Sequence, residues 1–220
     1  MMNIKSEFEN YAVKNCGVSS LKIHDYQNSM TPYILEEREL RATQMDIFSR
    51  LMMERIIWCA GPVDDRMSTI VQAQLMFLDT LSDDDIIMHI DTPGGSVKSG
   101  LSIVDVMDYI KCDVATINTG IAASMGAILL GAGTKGKRAS LRFSRTMIHQ
   151  SSGGSVGNIQ DARIDFMEWE KINNVLFELL AKYCGKTTKK VIKDAVRDKW
   201  FSASEALDYG IIDEIVTTRK

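Results

Sequence analysis

From Arg55 to about residue 132 the chain repeats one pattern: a short run of β-branched and apolar residues, a break rich in Gly, Pro, Asp or Ser, then apolar positions three and four apart. Ile56-Ile57-Trp58-Cys59-Ala60 is a buried-strand run ending at Gly61-Pro62. Asp64 or Asp65 can cap the helix that follows, whose apolar positions include Ile70, Val71, Leu75, Met76 and Leu78. Asp85-Ile86-Ile87-Met88-His89-Ile90-Asp91 is a second strand, closed by Thr92-Pro93-Gly94-Gly95, and Ser96 opens a helix carrying Leu101, Ile103, Val104, Met107 and Ile110. Val114-Ala115-Thr116-Ile117-Asn118 is a third, followed by a turn at Gly120–Gly126 and the small apolar helix of Ala127–Ala132. Three such units in series predict right-handed crossovers and a mainly parallel sheet. Functional groups then belong in the turns at the strand C-terminal ends.

The flanks are less regular. Residues 1–29 are polar and poorly periodic, which predicts a flexible extension, with a short docking element as the alternative. An apolar cluster at Met30–Leu35 precedes the charged Glu36-Glu37-Arg38-Glu39, and Ile47, Phe48, Leu51 and Met52 have the spacing of a short amphipathic helix. After the basic turn Lys135-Gly136-Lys137-Arg138, a strand-like run from Ser144 ends at His149, ahead of the flexible Ser151-Ser152-Gly153-Gly154-Ser155. Residues 158–183 form one long helix, with Ile164, Met167, Ile172, Val175, Leu176, Leu179 and Leu180 on its apolar side and Gly185 as its stop. It is longer than a compact crossover needs, so it is either a long core helix or one that partly projects to pair with another subunit. Thr187 can cap the next helix, Asp194 and Asp198 fall one helical turn apart, Ser202 or Ser204 caps a short helix ending at Tyr209-Gly210, and Ile211–Val216 is a last strand. The division is an extension at 1–29 and one α/β domain at 30–220.

Composition narrows the function classes. A length of 220 residues suits one domain with a sizeable core, and a net charge of −3 leaves no basic footprint for nucleic acid. No apolar run reaches the roughly 18–20 residues of a membrane span, and no signal-peptide segment opens the chain, so a cytoplasmic protein is expected. Cys16, Cys59, Cys112 and Cys184 show no metal-binding spacing, and the three histidines are far apart, so a metal site has no local support.

The candidate chemistry sits in two turns and at one strand end. In Gly120-Ile121-Ala122-Ala123-Ser124-Met125-Gly126, a strand-to-helix junction of small residues lifts the Ser124 hydroxyl toward a cleft, with the next helix's first N–H beside it. Pro93-Gly94-Gly95 admits close backbone approach; alone it is a tight turn, but next to the serine turn it can aim the N–H groups of Gly95 and Met125 at one carbonyl oxygen. His149, at a strand end, is placed to act as a base, whereas His89 lies within a strand and reads as structural. Ser124, His149 and a late Asp would supply nucleophile, general base and orienting carboxylate, in an order that matches neither the chymotrypsin, the subtilisin nor the α/β-hydrolase fold.

From about Tyr33 to its end the chain closely resembles the proteolytic subunits of the Clp protease family, ATP-dependent serine peptidases of the crotonase-like superfamily. The matching residues are Arg55-Ile56-Ile57, Thr92-Pro93-Gly94-Gly95-Ser96, Gly120 to Gly126, Met147-Ile148-His149-Gln150, and Arg197-Asp198 ahead of Phe201-Ser202-Ala203-Ser204-Glu205-Ala206 and Tyr209-Gly210. The resemblance implies a crotonase-like α/β fold with a protruding handle helix at 158–183. It implies Ser124 as nucleophile, His149 as base, Asp198 as third member with Asp194 as competitor, Gly95 and Met125 as the oxyanion hole, and Arg197 as a residue coupling ring assembly to activity. It further implies two stacked heptameric rings, a tetradecamer, with unfolded proteins as substrates, bound as a strand beside Gly153 and Gly154. A hexameric AAA+ unfoldase would feed the chamber, with ATP used by that partner and no cofactor in this subunit, and the extension would be a propeptide removed before or near Met30. The alternatives are a crotonase-like acyl-CoA enzyme, a non-catalytic or partner-activated ring subunit of a mixed complex, and a peptidase without an unfoldase. Two departures stand out: Ser151-Ser152 occupy a place where proline is common, and Asp91 stands where Asn is usual, a carboxylate that would raise the His149 pKa if the two interacted.

Overall fold

The computed structural model describes residues 4–15, 19, 33–38, 41–155 and 157–218. Ahead of the core lie helix α1 (Ile4–Asn15), an antiparallel hairpin of β1 (Tyr33–Arg38) and β2 (Arg41–Asp46), and helix α2 (Ile47–Met53). The spacing of Ile47, Phe48, Leu51 and Met52 predicts α2, and Asp46 caps it by accepting the Ser49 N–H at 2.9 Å. The hairpin was not expected, because the charged run that begins at Glu36 interrupts its alternation; pairing with β2 makes Glu36, Glu37 and Arg38 strand.

The parallel sheet follows the predicted rhythm. Strand β3 (Ile56–Ala60), helix α3 (Asp65–Asp79), β4 (Ile86–Thr92), helix α4 (Val97–Tyr109), β5 (Val114–Ala123) and helix α5 (Met125–Gly131) alternate, and β3, β4 and β5 pair in parallel. Asp64 rather than Asp65 caps α3, and Ser96 caps α4. Buried Ile57, Met88, Ile90, Val71, Leu75, Ile103 and Leu129 join strands and helices in one core. Against α3 packs α1: the Tyr11 ring lies 5.7 Å from Phe77, and Ala12 is buried. Over α1 this is the short docking element that the sequence left as the alternative to a flexible extension: Tyr11 and Ala12 dock a segment too polar to show a continuous apolar face. Met30, near the expected cut, lies outside the described residues.

Strand β5 is ten residues long and serves two neighbours on one side. Its first half pairs in parallel with β6 (Arg138–Leu141), and its last three residues pair in parallel with β7 (Arg145–Ile148). The long helix α6 (Ile159–Cys184) comes next, capped by Asn158 and stopped by Gly185 in the left-handed conformation at φ 62°. Its 26 residues span about 39 Å, and its buried residues, Phe177, Leu180, Ala181 and Cys184, all lie in the C-terminal part. Ile159, Ile164, Phe166 and Met167 are exposed, so the N-terminal half projects and is not a core helix along its whole length. Helix α7 (Thr188–Asp194), β8 (Lys199–Phe201), helix α8 (Ala203–Tyr209) and β9 (Glu214–Val216) finish the chain. Here β8 pairs antiparallel with β7, and β9 pairs parallel with β6. Thr187 caps α7, while Ser202 and Glu205 form a reciprocal capping box on α8. Because α7 ends at Asp194, Asp194 and Asp198 do not share a helix face as their spacing suggested. Among the described residues no helix is long and apolar enough to cross a membrane.

The basic turn conceals an internal staple. Arg138 is 1% exposed and donates to Asp213 through Nε at 2.8 Å and Nη2 at 2.7 Å, to the Tyr183 carbonyl at 2.9 Å and to the Gly210 carbonyl at 3.1 Å. One guanidinium thus joins the end of α6, the end of α8 and the approach to β9. Burial alone would raise the Asp213 carboxyl, but bonds from Arg138, Lys135 and the Gly136 N–H outweigh it and hold the group well below the usual carboxylate range. Asp194 behaves alike: burial raises it, yet Lys190, Lys199 and the Tyr209 hydroxyl outweigh that and bring it down to about 2.

Arg138→Ala removes a buried guanidinium, leaves the partly buried Asp213 without its main partner and is expected to cost about 3–5 kcal/mol of stability by urea denaturation, whereas Lys171→Ala, which breaks an exposed pair with Glu168, should leave the midpoint unmoved. A carboxyl held low when folded contributes stability that is complete above its ordinary value of 3.8 and disappears as pH falls toward about 2. Asp194→Asn should therefore be less stable at neutral pH, and its urea midpoint should fall less steeply than that of the parent across that acid window. Parallel acid limbs would refute the assignment.

Candidate active site

Ser124 is the whole of the turn between β5 and α5. The sequence suggested a seven-residue turn, but β5 runs on to Ala123 and α5 starts at Met125. Ser124 takes φ 55°, ψ −118°, a conformation that costs a residue bearing a Cβ of order 1–3 kcal/mol and persists only when its surroundings hold it. They do: the Ser124 N–H donates to the Met147 carbonyl at 2.9 Å, continuing the β5–β7 ladder. The side chain makes no capping bond to α5, so Oγ is left for other partners.

That partner is His149. The Oγ lies 2.7 Å from Nε2, and Nδ1 lies 3.1 Å from Asp198 Oδ1. With a carboxylate on Nδ1, the neutral ring carries its proton there, which leaves Nε2 to accept from the serine hydroxyl. Two strand registers bring the three together. In the antiparallel β7–β8 pair Ile148 faces Lys199, so one further step sets His149 opposite Asp198. In the parallel β5–β7 pair Ala123 faces Met147, which brings Ser124 alongside the end of β7.

Asp194, the competing carboxylate, is elsewhere engaged: Lys190 at 2.9 Å, Lys199 at 3.0 Å and the Tyr209 hydroxyl at 3.0 Å surround it. Asp91 likewise turns away, accepting the Ile121 N–H at 2.9 Å rather than a bond from His149. Arg197 is exposed and forms no ion pair among the described residues. His89 stacks on Trp58 with ring centroids 4.7 Å apart, away from the triad in the body of β4.

The glycine turn lies directly over the serine turn. Gly94 has φ 92°, and a Cβ there would come within 2.7 Å of the Ala123 carbonyl oxygen and the Ser124 Cβ, and 3.0 Å from the Met125 nitrogen. Gly95, at φ 152°, is held against Val63, whose N–H donates to the Gly94 carbonyl at 2.9 Å and whose carbonyl accepts from Ser96 at 2.7 Å. The Gly94 backbone therefore lies against Ser124 and the first N–H of α5, with Gly95 next to it in the chain. On the other side of Ser124 an apolar pocket is lined by Val97, Met125, Ile128, Ile148, Leu176 and Phe177.

Several residues that hold this arrangement escaped the sequence reading. Buried Thr92 accepts the Gly94 N–H on Oγ1 at 3.1 Å and fixes the glycine turn. Buried Asn118 donates to the Arg145 carbonyl at 3.0 Å and to Thr146 Oγ1 at 3.2 Å, and Ser144 donates to the Asn118 carbonyl at 2.9 Å, locking β5 to β7. Asn118 falls on the inward parity of β5 with Val114 and Thr116, and a polar residue at that parity was the available signal. Gln150 sends its N–H to the Ala195 carbonyl at 2.8 Å and its side-chain amide to the Val196 carbonyl at 3.3 Å, docking the end of β7 on the segment that leads to Asp198. The sequence reading placed Gln150 in the Met147–Gln150 run but gave it no role of its own.

Comparisons with known proteins agree with this architecture. The Clp protease family model matches residues 38–219. An ATP-dependent Clp protease proteolytic subunit of Porphyromonas gingivalis is 46% identical over 216 residues, covering 96% of this chain and 97% of the relative. One from Bacteroides fragilis strain YCH46 is 46% identical over 215 residues, covering 96% and 98%. Another B. fragilis subunit is 49% identical over 188 residues, 85% of this chain and 91% of its own. With a parallel sheet that splits along β5, a projecting helix and a Ser-His-Asp array at the split, the chain belongs to the Clp protease family.

Proposed function

We propose that this protein is a serine endopeptidase that hydrolyses peptide bonds of unfolded polypeptides. The observation that carries this reading is the continuous line from Ser124 Oγ through His149 to Asp198, at 2.7 and 3.1 Å. Ser124 Oγ attacks the scissile carbonyl carbon while His149 Nε2 takes the hydroxyl proton. Asp198 holds the ring and stabilises the imidazolium. The carbonyl oxygen becomes an oxyanion, which accepts hydrogen bonds from the N–H groups of Gly95 and Met125. His149 then returns the proton to the departing amine, the C–N bond breaks, and an acyl ester remains on Ser124. Water, deprotonated by His149, releases the acid by the same steps in reverse order. The neighbouring pocket takes an apolar side chain of the substrate. Its backbone adds as a strand beside the Gly-rich segment at Gly153 and Gly154, which makes recognition tolerant of sequence. None of these steps calls for a cofactor in this subunit.

The same reading extends to assembly. The exposed Ile159, Phe166 and Met167 on the projecting half of α6 suit burial against a second copy across two stacked heptameric rings, and the unpaired Arg197 suits a contact that links assembly to the triad. A hexameric AAA+ unfoldase, consuming ATP, would deliver substrates to the chamber, with residues 1–29 as a propeptide. Cys59, Cys112 and Cys184 are free and buried, which suits the reducing cytoplasm.

Hydrolysis of a short fluorogenic peptide by the parent and by Ser124→Ala, with sedimentation of the same samples, tests this. The alanine variant should lose activity by a factor on the order of 10⁴ or more in a particle of unchanged size; equal rates would eliminate Ser124 as nucleophile. Gly94→Ala forces a Cβ against Ser124 and displaces the Gly95 N–H, so kcat should drop by about 10²–10³-fold while the particle stays assembled. A parental kcat would show that the glycine turn plays no part.

A further inference from the structure

The sheet stops holding the chain just where His149 needs it most. Strand β7 ends at Ile148, and beyond it Gln150 is tied to the Ala195–Val196 segment on one side. On the other side the tie is to the long helix. Ser151 donates its backbone N–H to Asn173 Oδ1 at 3.0 Å, and its hydroxyl donates to the same oxygen at 3.0 Å. Asn173 belongs to α6, one turn before Phe177, and Ser151 lines the apolar pocket together with Leu176 and Phe177. Two residues later Gly153 packs against the Trp169 ring of the same helix, where a Cβ would overlap the indole. The segment after His149 is therefore carried by α6 rather than by a strand.

The chemistry of position 151 explains the arrangement. A proline here would have no N–H to give to Asn173. Serine at 151 offers two donors, its backbone N–H and its hydroxyl. One side-chain carbonyl with two lone pairs satisfies both donors at once.

We propose that Asn173 is a positioning residue for the active site: its Oδ1 binds both donors of Ser151 and thereby fixes His149 and one wall of the apolar pocket relative to Ser124. This rests on the peptidase reading above. Asn173 touches neither substrate nor reacting atoms; it acts through Ser151, two residues from the base. It also makes the setting of His149 depend on α6, whose outer half projects.

The test is steady-state hydrolysis of the fluorogenic peptide by assembled particles of Asn173→Ala, Asn173→Asp, Ser151→Ala and Ser124→Ala, matched to the parent by sedimentation. Asn173→Ala should lower kcat by roughly tenfold to a hundredfold, the scale of a small misplacement of a catalytic group, with a much smaller change in KM. Asn173→Asp keeps an acceptor oxygen in place and should recover most of that loss, and Ser151→Ala, which keeps only the N–H, should fall between. A parental kcat in Asn173→Ala overturns the proposal. So does an Asn173→Asp as impaired as the alanine variant, which would mean a packing role only. If Asn173→Ala fails to assemble, Ser151→Ala decides: a reduced kcat supports the proposal and a parental kcat overturns it. Hydrolysis that survives Ser124→Ala refutes the peptidase reading itself, whatever Asn173 does, so the two failures are distinguishable.

Discussion

The arrangement depends on β7, four residues that must keep two registers at once. Parallel to the end of β5, it presents the Met147 carbonyl to the Ser124 N–H. Antiparallel to β8, it sets His149 across from Asp198. A slip of one residue in either pairing would reverse the face of every side chain involved and separate the triad. So short a strand cannot hold its register by hydrogen bonds alone. The buried side chains of Asn118, Ser144 and Thr146 tie it to β5, and Gln150 ties its end to the segment before β8.

Around that strand the fold places its strain and its charges with a division of labour. Ser124 and Gly94 occupy positive-φ conformations at the point where two backbones meet, and each is tolerated because neighbouring elements leave no alternative. The ion pairs lie elsewhere. Arg138 with Asp213, and Asp194 with Lys190 and Lys199, anchor the C-terminal helices and strands. Asp194 stands only four positions before Asp198, yet its carboxylate is consumed in holding α7 and β8 together, which leaves the half-exposed Asp198 free to face His149. Two similar carboxylates thus take a structural and a proposed catalytic task according to what surrounds each.

Sequence by itself determined the elements whose signals are local. Periodicity placed the three strand–helix units, and capping chemistry at Ser96, Thr187 and Gly185 set helix ends, because each signal acts within one turn of chain. Motif chemistry likewise singled out Ser124, His149, Asp198 and the glycine turn. Only the tertiary structure decided what depends on distant partners. The β1–β2 hairpin, the docking of α1 through Tyr11 and Ala12, and the burial of Arg138 inside an apparently basic turn all rest on contacts across long stretches of chain. So do the contact between Asp198 and His149 and the bond from Ser151 to Asn173. A carboxylate, an amide or a guanidinium reads the same in any sequence; its role follows from the donor or acceptor that folding brings within about 3 Å, and no local pattern encodes that distance.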